Sequence, residues 1–484
     1  MVHLKRLTET ALAAARAAGA TYADIRVVET RTQGLSVKNG SVDAITSDSD
    51  HGFGIRVIAD GAWGFAASAR IDEDEVKRVA ALAVRIARAS ALTKRRDVAL
   101  SPVDAYEDTW SARPKVDPFE VKIEDKLAHL LDAERRMHGV PDVRVTQATM
   151  RFVAEKKVFA STEGSFIKQD FVQSGGAIYA TAARAGEVQS RSYPAQFGGD
   201  FALKGYEFIE QLDFPGNAER VAREASQLLD AEQCPSGKKT IILEGSQLAL
   251  QLHESCGHPI ELDRVLGSEA GLVGKSFLTP DKLGSFRYGS DAVSIFHDAR
   301  LPGANGSFGY DDEGVPAQRT QIVDRGTFVG YLTSRETAPV IGQRSNGAMM
   351  AVDWSRTPLI RMTNVNLAPG DWTFDELIKD TKDGIYMDLN RSYSIDDRRY
   401  NFQFGTEIAW EIKDGSLGKM LKNPTYTGLT PEFWGACDAV CDEREWRVWG
   451  IPNCGKGEPM QAIRVGHGVA PARFRDIRVG VGKW

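Results

Sequence analysis

The segment Leu252-His253-Glu254-Ser255-Cys256-Gly257-His258-Pro259 carries the strongest chemical signal in this sequence of 484 residues. Two imidazoles are natural first ligands for zinc, and a carboxylate beside one of them can act as a general base on water. The histidines are separated by five positions, whereas the familiar peptidase motif separates them by four. In a regular α-helix, that separation would place them roughly 140° apart, too far to share one metal ion.

Two features of the same segment remedy this problem. A one-residue π-type bulge turns less per residue, returns both histidines to one face, and recurs at functional sites in proteins. Gly257 tolerates a distorted backbone, and Pro259 biases His258 toward extended geometry, so we expect the helix to end there. The sequence therefore predicts that His253 and His258 bind a metal ion at the widened end of a helix.

A catalytic zinc ion takes three protein ligands and keeps one position open. Spacing alone does not select the third ligand. Cys454 lies in a glycine-flanked turn, where the neighbouring Lys456 would favour the ionised thiol that a metal requires. The candidates for the third ligand are Glu261, Asp263, His297, His467 and Cys454.

The composition around this segment is that of an ordinary globular protein. Hydrophobic residues make up 42%, charged residues 26% and aromatic residues 9%, which excludes a disordered or collagen-like chain. At about 150 residues per domain, the length predicts roughly three domains or two large ones. The formal net charge of -6 provides no broad basic surface, so we expect no nucleic-acid partner.

The cysteine content and the apolar segments bear on the cellular location of the protein. Five cysteines are few and odd in number, so they do not form a disulfide framework and favour a reducing compartment. The first helix has no apolar signal core, and the most apolar stretch, residues 79–89, is interrupted by Arg85 and Arg88. We therefore expect a cytoplasmic protein without a membrane partner.

The amino-terminal half predicts two rounds of helix, antiparallel meander and helix. Asn39-Gly40 and Asp60-Gly61 supply the positive φ angles of two-residue hairpin turns. The expected elements are a helix over residues 1–18, a meander over 22–70, a helix from Asp72, a connector over 93–117, a helix from Asp117-Pro118 to Met137, strands over 143–193 and a helix over 217–229.

The character of the sequence changes after Pro235-Ser236-Gly237. Glycine, aromatic and β-branched residues become frequent and helical periodicity becomes scarce. We place a domain boundary there, between an α/β domain at residues 1–235 and a β-rich, barrel-like domain at residues 236–484 that carries the histidine motif. The predicted fold class is α+β.

The sequence resembles the TldD/PmbA family, once labelled as proposed modulators of DNA gyrase, and within it the metal-bearing TldD branch. The HExxxH element at His253–His258, followed by Glu261 and Asp263, separates TldD-like chains from their PmbA-like sister subunits, which lack it. The supporting matches are Tyr310-Asp311-Asp312-Glu313-Gly314-Val315-Pro316, Arg361-Met362-Thr363-Asn364, Gly384-Ile385-Tyr386 and Cys454-Gly455-Lys456.

The resemblance implies a zinc metallopeptidase with one zinc ion per chain, whose ligands match His253, His258 and Cys454 and whose base matches Glu254. It also implies an active site enclosed by a dimer, either of two TldD-like chains or of one TldD-like and one PmbA-like chain. Family members cleave unfolded or flexible peptides, and some trim the precursors of ribosomally made peptide antibiotics.

Two alternatives stay open. In the first, zinc stabilises a non-catalytic interaction or regulatory protein, with Glu261 or Asp263 completing a closed four-ligand site. In the second, the protein is a zinc-dependent amidohydrolase that acts on one small metabolite. Two charged runs are interpreted as solvated surface, namely the acidic run Asp311-Asp312-Glu313 and the mixed run Asp396-Asp397-Arg398-Arg399.

Overall fold

A computed structural model of the chain describes residues 2–196, 198–271 and 274–480. Helices account for 23% and strands for 43%, and their arrangement confirms the predicted α+β class. Within those residues, no helix is both long enough and apolar enough to cross a membrane.

The amino-terminal half is built on one large sheet. Its elements are α1 (Val2–Ala17), β1 (Tyr22–Lys38), β2 (Ser41–Ala59), β3 (Ala62–Ser68), α2 (Glu73–Ala91), β4 (Glu107–Ala112), α3 (Ile123–His138), β5 (Val143–Ser161), β6 (Phe166–Arg184), β7 (Glu187–Tyr193), β8 (Asp200–Ala202), α4 (Tyr206–Leu212) and α5 (Phe214–Leu228). The strands follow the order β3-β2-β1-β5-β6-β4, and β7 and β8 also pair with β6. The two predicted meanders are thus halves of one sheet, joined where β1 pairs with β5.

Local turn chemistry explains the first meander. Asn39 and Gly40 adopt φ of 51° and 78°, and Asp60 and Gly61 adopt 51° and 73°. These left-handed angles match the twist that two-residue hairpins need, so both predicted turns are confirmed. Separate apolar clusters then cover the sheet, one under α1 and α2 and one under α3 and α5.

Two local predictions in this half were wrong. The predicted connector over residues 93–117 contains β4, an edge strand that exists because it pairs in parallel with β6. The helix α3 begins at Ile123, whereas Asp117 only accepts a hydrogen bond from the Phe119 amide in a turn. Pairing with a distant strand determines β4, and sequence periodicity does not report such pairing.

The carboxyl-terminal half is rich in strands. Its elements are β9 (Glu232–Gln233), β10 (Gly237–Leu243), α6 (Gly245–Leu252), α7 (Leu262–Val265), β11 (Ile295–Asp298), β12 (Arg319–Asp324), β13 (Thr327–Phe328), β14 (Met349–Met350), β15 (Leu359–Ile360), β16 (Val365–Leu367), α8 (Phe374–Asp380), β17 (Asp383–Ile395), β18 (Asn401–Lys413), β19 (Ser416–Lys422), β20 (Thr425–Leu429), α9 (Thr430–Gly435), β21 (Cys437–Val440), β22 (Arg447–Lys456), β23 (Gln461–Val469) and β24 (Ala472–Val479). The strands β17, β10, β24, β20 and β18 form a closed barrel, because β17 also pairs with β18.

The barrel confirms the expected β-rich, barrel-like second half. The boundary at residues 235–236 stays a prediction. The short strand β9 lies before that boundary and pairs with β19 beyond it.

The acidic run at residues 311–313 joins the two halves of the chain. Asp312 accepts hydrogen bonds from Lys157 Nζ at 2.9 Å and from the Ala351 amide at 2.7 Å, and Glu313 pairs with Arg56 at 3.0 Å. Both carboxylates are buried, so interpreting this run as a solvated loop was wrong. Burying a charged carboxylate is costly unless it is paired, and here Lys157 and Arg56 of the amino-terminal sheet pair with Asp312 and Glu313.

Candidate metal centre

The histidine motif adopts the predicted bulge. The helix α6 runs directly into a π-helical turn over His253–Gly257, in which the amide of His258 donates to the carbonyl of His253 five residues earlier. The extra residue brings the two rings to one face, with ring centroids 5.0 Å apart. Neighbours hold this widened turn, since Tyr288 donates to the carbonyl of Ser255 and Trp434 donates to its hydroxyl, both at 2.9 Å.

The backbone after the bulge differs from the expectation. His258 is helical, with φ -64° and ψ -42°, and a 3-10 turn over His258–Ile260 follows before Glu261 becomes extended. Pro259 stands at the start of that turn, where no amide hydrogen bond is lost. Gly257 packs closely against Met362, because a Cβ there would lie 2.3 Å from Met362 Sδ and would displace that side chain.

Cys454 reaches the histidines through an irregular hairpin. The register of β22 and β23 shifts between Ile451 and Cys454, where Pro452 cannot donate a ladder hydrogen bond. Such a bulge re-aims the side chain that follows it. Buried Arg361 then fixes the backbone by donating to the carbonyl of Cys454 and, at 3.2 Å, to that of Gln461.

Three donor atoms converge at this point. Cys454 Sγ lies 3.3 Å from His253 Nε2 and 3.7 Å from His258 Nε2. Their ligand atoms all lie within 4.8 Å of one another, and all three residues are buried. Among the residues described by the structure, these three are the group of His, Cys, Asp or Glu that could hold one metal ion.

His467 sets the protonation of the first histidine. Its Nδ1 lies 2.9 Å from the carbonyl oxygen of Val365, which can only accept, so Nδ1 carries the proton. His467 Nε2 must therefore accept, and His253 Nδ1 donates to it over 2.8 Å. This leaves the Nε2 of His253 unprotonated, facing Cys454.

Glu261 sets the protonation of the second histidine, His258. The Nδ1 of His258 donates to Glu261 Oε2 at 3.0 Å, which leaves its Nε2 free. Lys456 lies behind this carboxylate, 3.4 Å from Glu261 Oε1 and 2.7 Å from Asp263 Oδ1. Burial lowers the pKa of Lys456, but Asp263, Glu261 and Glu269 outweigh that effect and raise it. Lys456 is therefore engaged with carboxylates.

These contacts separate the candidates for the third ligand. The carboxylate of Glu261 is hydrogen-bonded to His258, and that of Asp263 to Lys456. His467 is hydrogen-bonded to Nδ1 of His253, the ring nitrogen that does not face Cys454. His297 is buried on β11, and neither of its ring nitrogens has a hydrogen-bond partner among the described residues. Cys454 is the candidate that lies with both motif histidines.

The donor chemistry fits a metal ion. Burial lowers the pKa of His253 to about 4 and that of His258 well below its ordinary value, so both rings are neutral, as ligation requires. A cysteine S–H can donate to one Nε2 and leaves the other lone pair without a donor. A cation would satisfy both nitrogens and the sulfur together.

Glu254 and the donors share the wall of one cavity. This cavity has a volume of about 580 Å³, and β22 lines it from Trp449 to Gly455. Glu254 Oε2 accepts a hydrogen bond from Arg399, which lies between β17 and β18. The mixed run at residues 396–399 is thus only in part a surface cluster. Nothing local in the sequence identifies Arg399, because its partner is 145 positions away.

We expect the replacement of His467 by phenylalanine to weaken the binding of added zinc ion about 10- to 100-fold, the range typical of partners that orient a metal-binding histidine. Phenylalanine fills the same buried space but cannot accept the hydrogen bond from Nδ1 of His253. The His253 ring therefore loses its preference for the tautomer that can bind a metal ion through Nε2. Competition with a chromophoric chelator measures the affinity. The matched control is His297→Phe, another buried histidine, for which we expect unchanged affinity.

A three-donor site beside a carboxylate, at the wall of a cavity, is the arrangement typical of metal-dependent hydrolases. The chain belongs to the PmbA/TldD metallopeptidase family. Residues 23–87 match domain 1 of the PmbA/TldA metallopeptidases, residues 116–229 match the central domain and residues 236–481 match the C-terminal domain.

Relatives match over nearly the whole chain. A metalloprotease of Methanocaldococcus jannaschii is 31% identical, over 92% of this chain and 94% of its own length. A metalloprotease of Methanothermobacter thermautotrophicus is 31% identical over 95% of each chain. A Saccharolobus solfataricus protein named as a zinc metalloprotease and TldD homologue is 22% identical, over 96% of this chain and 97% of its own.

Solved structures share the fold. A Thermotoga maritima protein described as a proposed modulator of a DNA gyrase superposes with a TM-score of 0.77 at 20% identity, covering 99% of this chain and all of the other. TldE from Thermococcus kodakarensis superposes with a TM-score of 0.74 at 16% identity, covering 98% and 100%. At these identities the likeness establishes the fold alone.

Proposed function

We propose that this protein is a zinc-dependent peptidase that hydrolyses unfolded or flexible chains, with His253, His258 and Cys454 holding one zinc ion. The observation that carries the proposal is the convergence of these three donors beside Glu254 on one cavity wall. The relatives named metalloprotease, one of them a zinc metalloprotease, support it.

Glu254 is the general base. Zinc held at the three donors would supply a Lewis acid that polarises the scissile carbonyl and acidifies water. Glu254 takes the proton of the attacking water and passes it to the leaving amine nitrogen. Its side chain borders the cavity that would hold the peptide and the water.

The cavity suits an extended chain. Among the described strands, β22 pairs with β23 alone, and its segment from Trp449 to Gly455 borders the cavity. The Gly450 amide and the Ile451 carbonyl of this segment already bond to Asp200 and Asn305, so a peptide would be held by the backbone groups around Asn453. Such hydrogen bonds depend little on side chains. Broad specificity for unfolded chains follows from that mode of binding.

The alternative of a non-catalytic zinc protein requires a closed site of four ligands. Glu261 and Asp263, the residues nearest the motif, are engaged with His258 and Lys456. The site therefore has three protein donors and an open position for water, which favours a catalytic over a structural zinc site. The small-metabolite amidohydrolase keeps the same zinc site and differs only in substrate, so cleavage assays separate it from the peptidase.

We expect a cytoplasmic protein. All five cysteines are buried and unpaired, as in a reducing compartment. An open zinc site there would endanger folded neighbours unless access were restricted. A dimer that encloses the sites, either of two copies or with a PmbA-like sister chain, provides that restriction.

The assembly yields a testable expectation. Light scattering should find a dimer, and the enzyme should cleave a peptide in short or unfolded form but spare the same sequence when it is folded. An obligate interface of this kind buries well over about 2,000 Å² and is markedly apolar. The assay uses one small domain of unchanged sequence, in its native disulfide-bonded form and, at the same temperature, with its disulfides reduced and blocked so that it is unfolded.

A monomer that cleaves both forms equally would contradict the enclosed chamber and leave the peptidase standing. A chain that gains activity only when a PmbA-like sister chain is added would identify the heterodimer. If neither preparation cleaves any peptide, the peptidase proposal itself is wrong.

A further inference from the structure

Arg399 occupies an unusual position in the cavity. Among the described residues that line it, Arg399 is the one lysine or arginine. Its Nη1 lies 2.5 Å from Glu254 Oε2, and both side chains are largely buried, at 15% and 6% exposure. Burying either charged group alone would be costly, so the carboxylate and the guanidinium stabilise each other in this position.

The turn that carries Arg399 is held from several sides. Its amide donates to the carbonyl of Asp396 at 2.9 Å, and its own carbonyl accepts from the Thr430 hydroxyl at 2.8 Å. The carbonyl of Arg398 accepts from the amide of Phe277 at 3.1 Å, and the Asp396 carboxylate accepts from the Tyr400 amide at 3.0 Å. The guanidinium therefore projects from a fixed backbone.

The backbone of Arg399 is also strained. Its φ is 64°, in the left-handed region that residues other than glycine, asparagine and aspartate seldom adopt. Strained residues of this kind persist where the surroundings enforce them, and they cluster at functional sites. Here the strained residue places its charge against Glu254.

We propose that Arg399 is a positioning residue that holds Glu254 in its working orientation. By engaging Oε2, it leaves Oε1 of the same carboxylate to take the proton of the attacking water. This inference rests on the proposed function, because it assigns a partner to the proposed base. It predicts an effect on turnover and none on substrate binding.

The test compares Arg399→Met with Arg398→Met. The control removes the same charge from the same turn, at an exposed residue. Arg399→Met should lower kcat about 10- to 100-fold, as expected when a group that orients a reacting residue is lost, and should leave KM within about 2-fold. Arg399→Lys should restore part of kcat, and Arg398→Met should match the wild type.

Two further measurements do not depend on turnover. A labelled peptide should bind zinc-free wild type and zinc-free Arg399→Met with equal Kd by fluorescence anisotropy. In urea unfolding, Glu254→Met and Arg399→Met, each of which removes the contact, should show non-additive changes in the free energy of unfolding.

The outcomes are distinct. A raised KM or weakened Kd with unchanged kcat would make Arg399 a substrate-binding residue and overturn the inference. Unchanged kcat and KM in Arg399→Met would also overturn it. Additive unfolding free energies would overturn it even if no peptide is cleaved. Absence of cleavage by wild type, both alone and with a PmbA-like sister chain, together with non-additive unfolding, would instead refute the proposed peptidase and leave the Glu254–Arg399 contact standing.

Discussion

Glu254→Gln should reduce peptide cleavage by about 10²- to 10⁴-fold, the range that general acid–base catalysis contributes. Glutamine keeps the size of the side chain and an oxygen that can accept from Arg399, but it cannot take a proton from water. Glu254 lies outside the group of three convergent donors, so we expect the variant to keep about one zinc ion per chain and its fold.

The measurement combines steady-state cleavage of a flexible peptide with zinc content by mass spectrometry. Glu443→Gln makes the same isosteric change at an exposed residue and should retain full activity. Wild-type turnover in the Glu254 variant would show that Glu254 is not the base. Loss of zinc would mean that Glu254 supports the metal site.

Cys454→Ala should remove most of the zinc. Three donors are the protein's share of an open catalytic site, and the two imidazoles that remain bind the ion far more weakly. His253→Ala should have the same effect. Metal content after gel filtration, together with titration by a chromophoric chelator, measures the loss.

Cys256→Ala is the matched control, because Cys256 is a buried thiol within the motif itself. Burial raises its pKa to about 12, so it stays protonated and is a poor ligand at neutral pH. We expect this variant to keep its zinc. Full zinc in the Cys454 variant would move the third ligand elsewhere, first to Glu261 or Asp263.

Features that depend on short-range chemistry were predictable from the sequence. The hairpin turns at Asn39-Gly40 and Asp60-Gly61 follow from residues that tolerate positive φ. The bulge over His253–Gly257 follows from the requirement that two histidines five positions apart meet on one face. Neither prediction needed knowledge of a distant part of the chain.

Long-range features were not predictable in the same way. The strand β4 depends on its pairing with β6, and the acidic run at residues 311–313 is buried because the amino-terminal sheet brings cations to it. The residues themselves resemble a connector and a solvated loop. Whether a charged group is buried depends on its partners, and the partners come from elsewhere in the chain.

The proposed metal centre also combines features set by the local sequence with features set by the tertiary structure. The sequence alone determined the pair of histidines, the adjacent carboxylate and the distorted helix, because all lie within six consecutive residues. The convergence of Cys454, the orientation of His253 by His467 and the contact of Arg399 with Glu254 were decided by the tertiary structure. These contacts span 145 to 214 positions of the chain, and only packing of the barrel, the β22–β23 hairpin and the helix end brings such groups within hydrogen-bond distance.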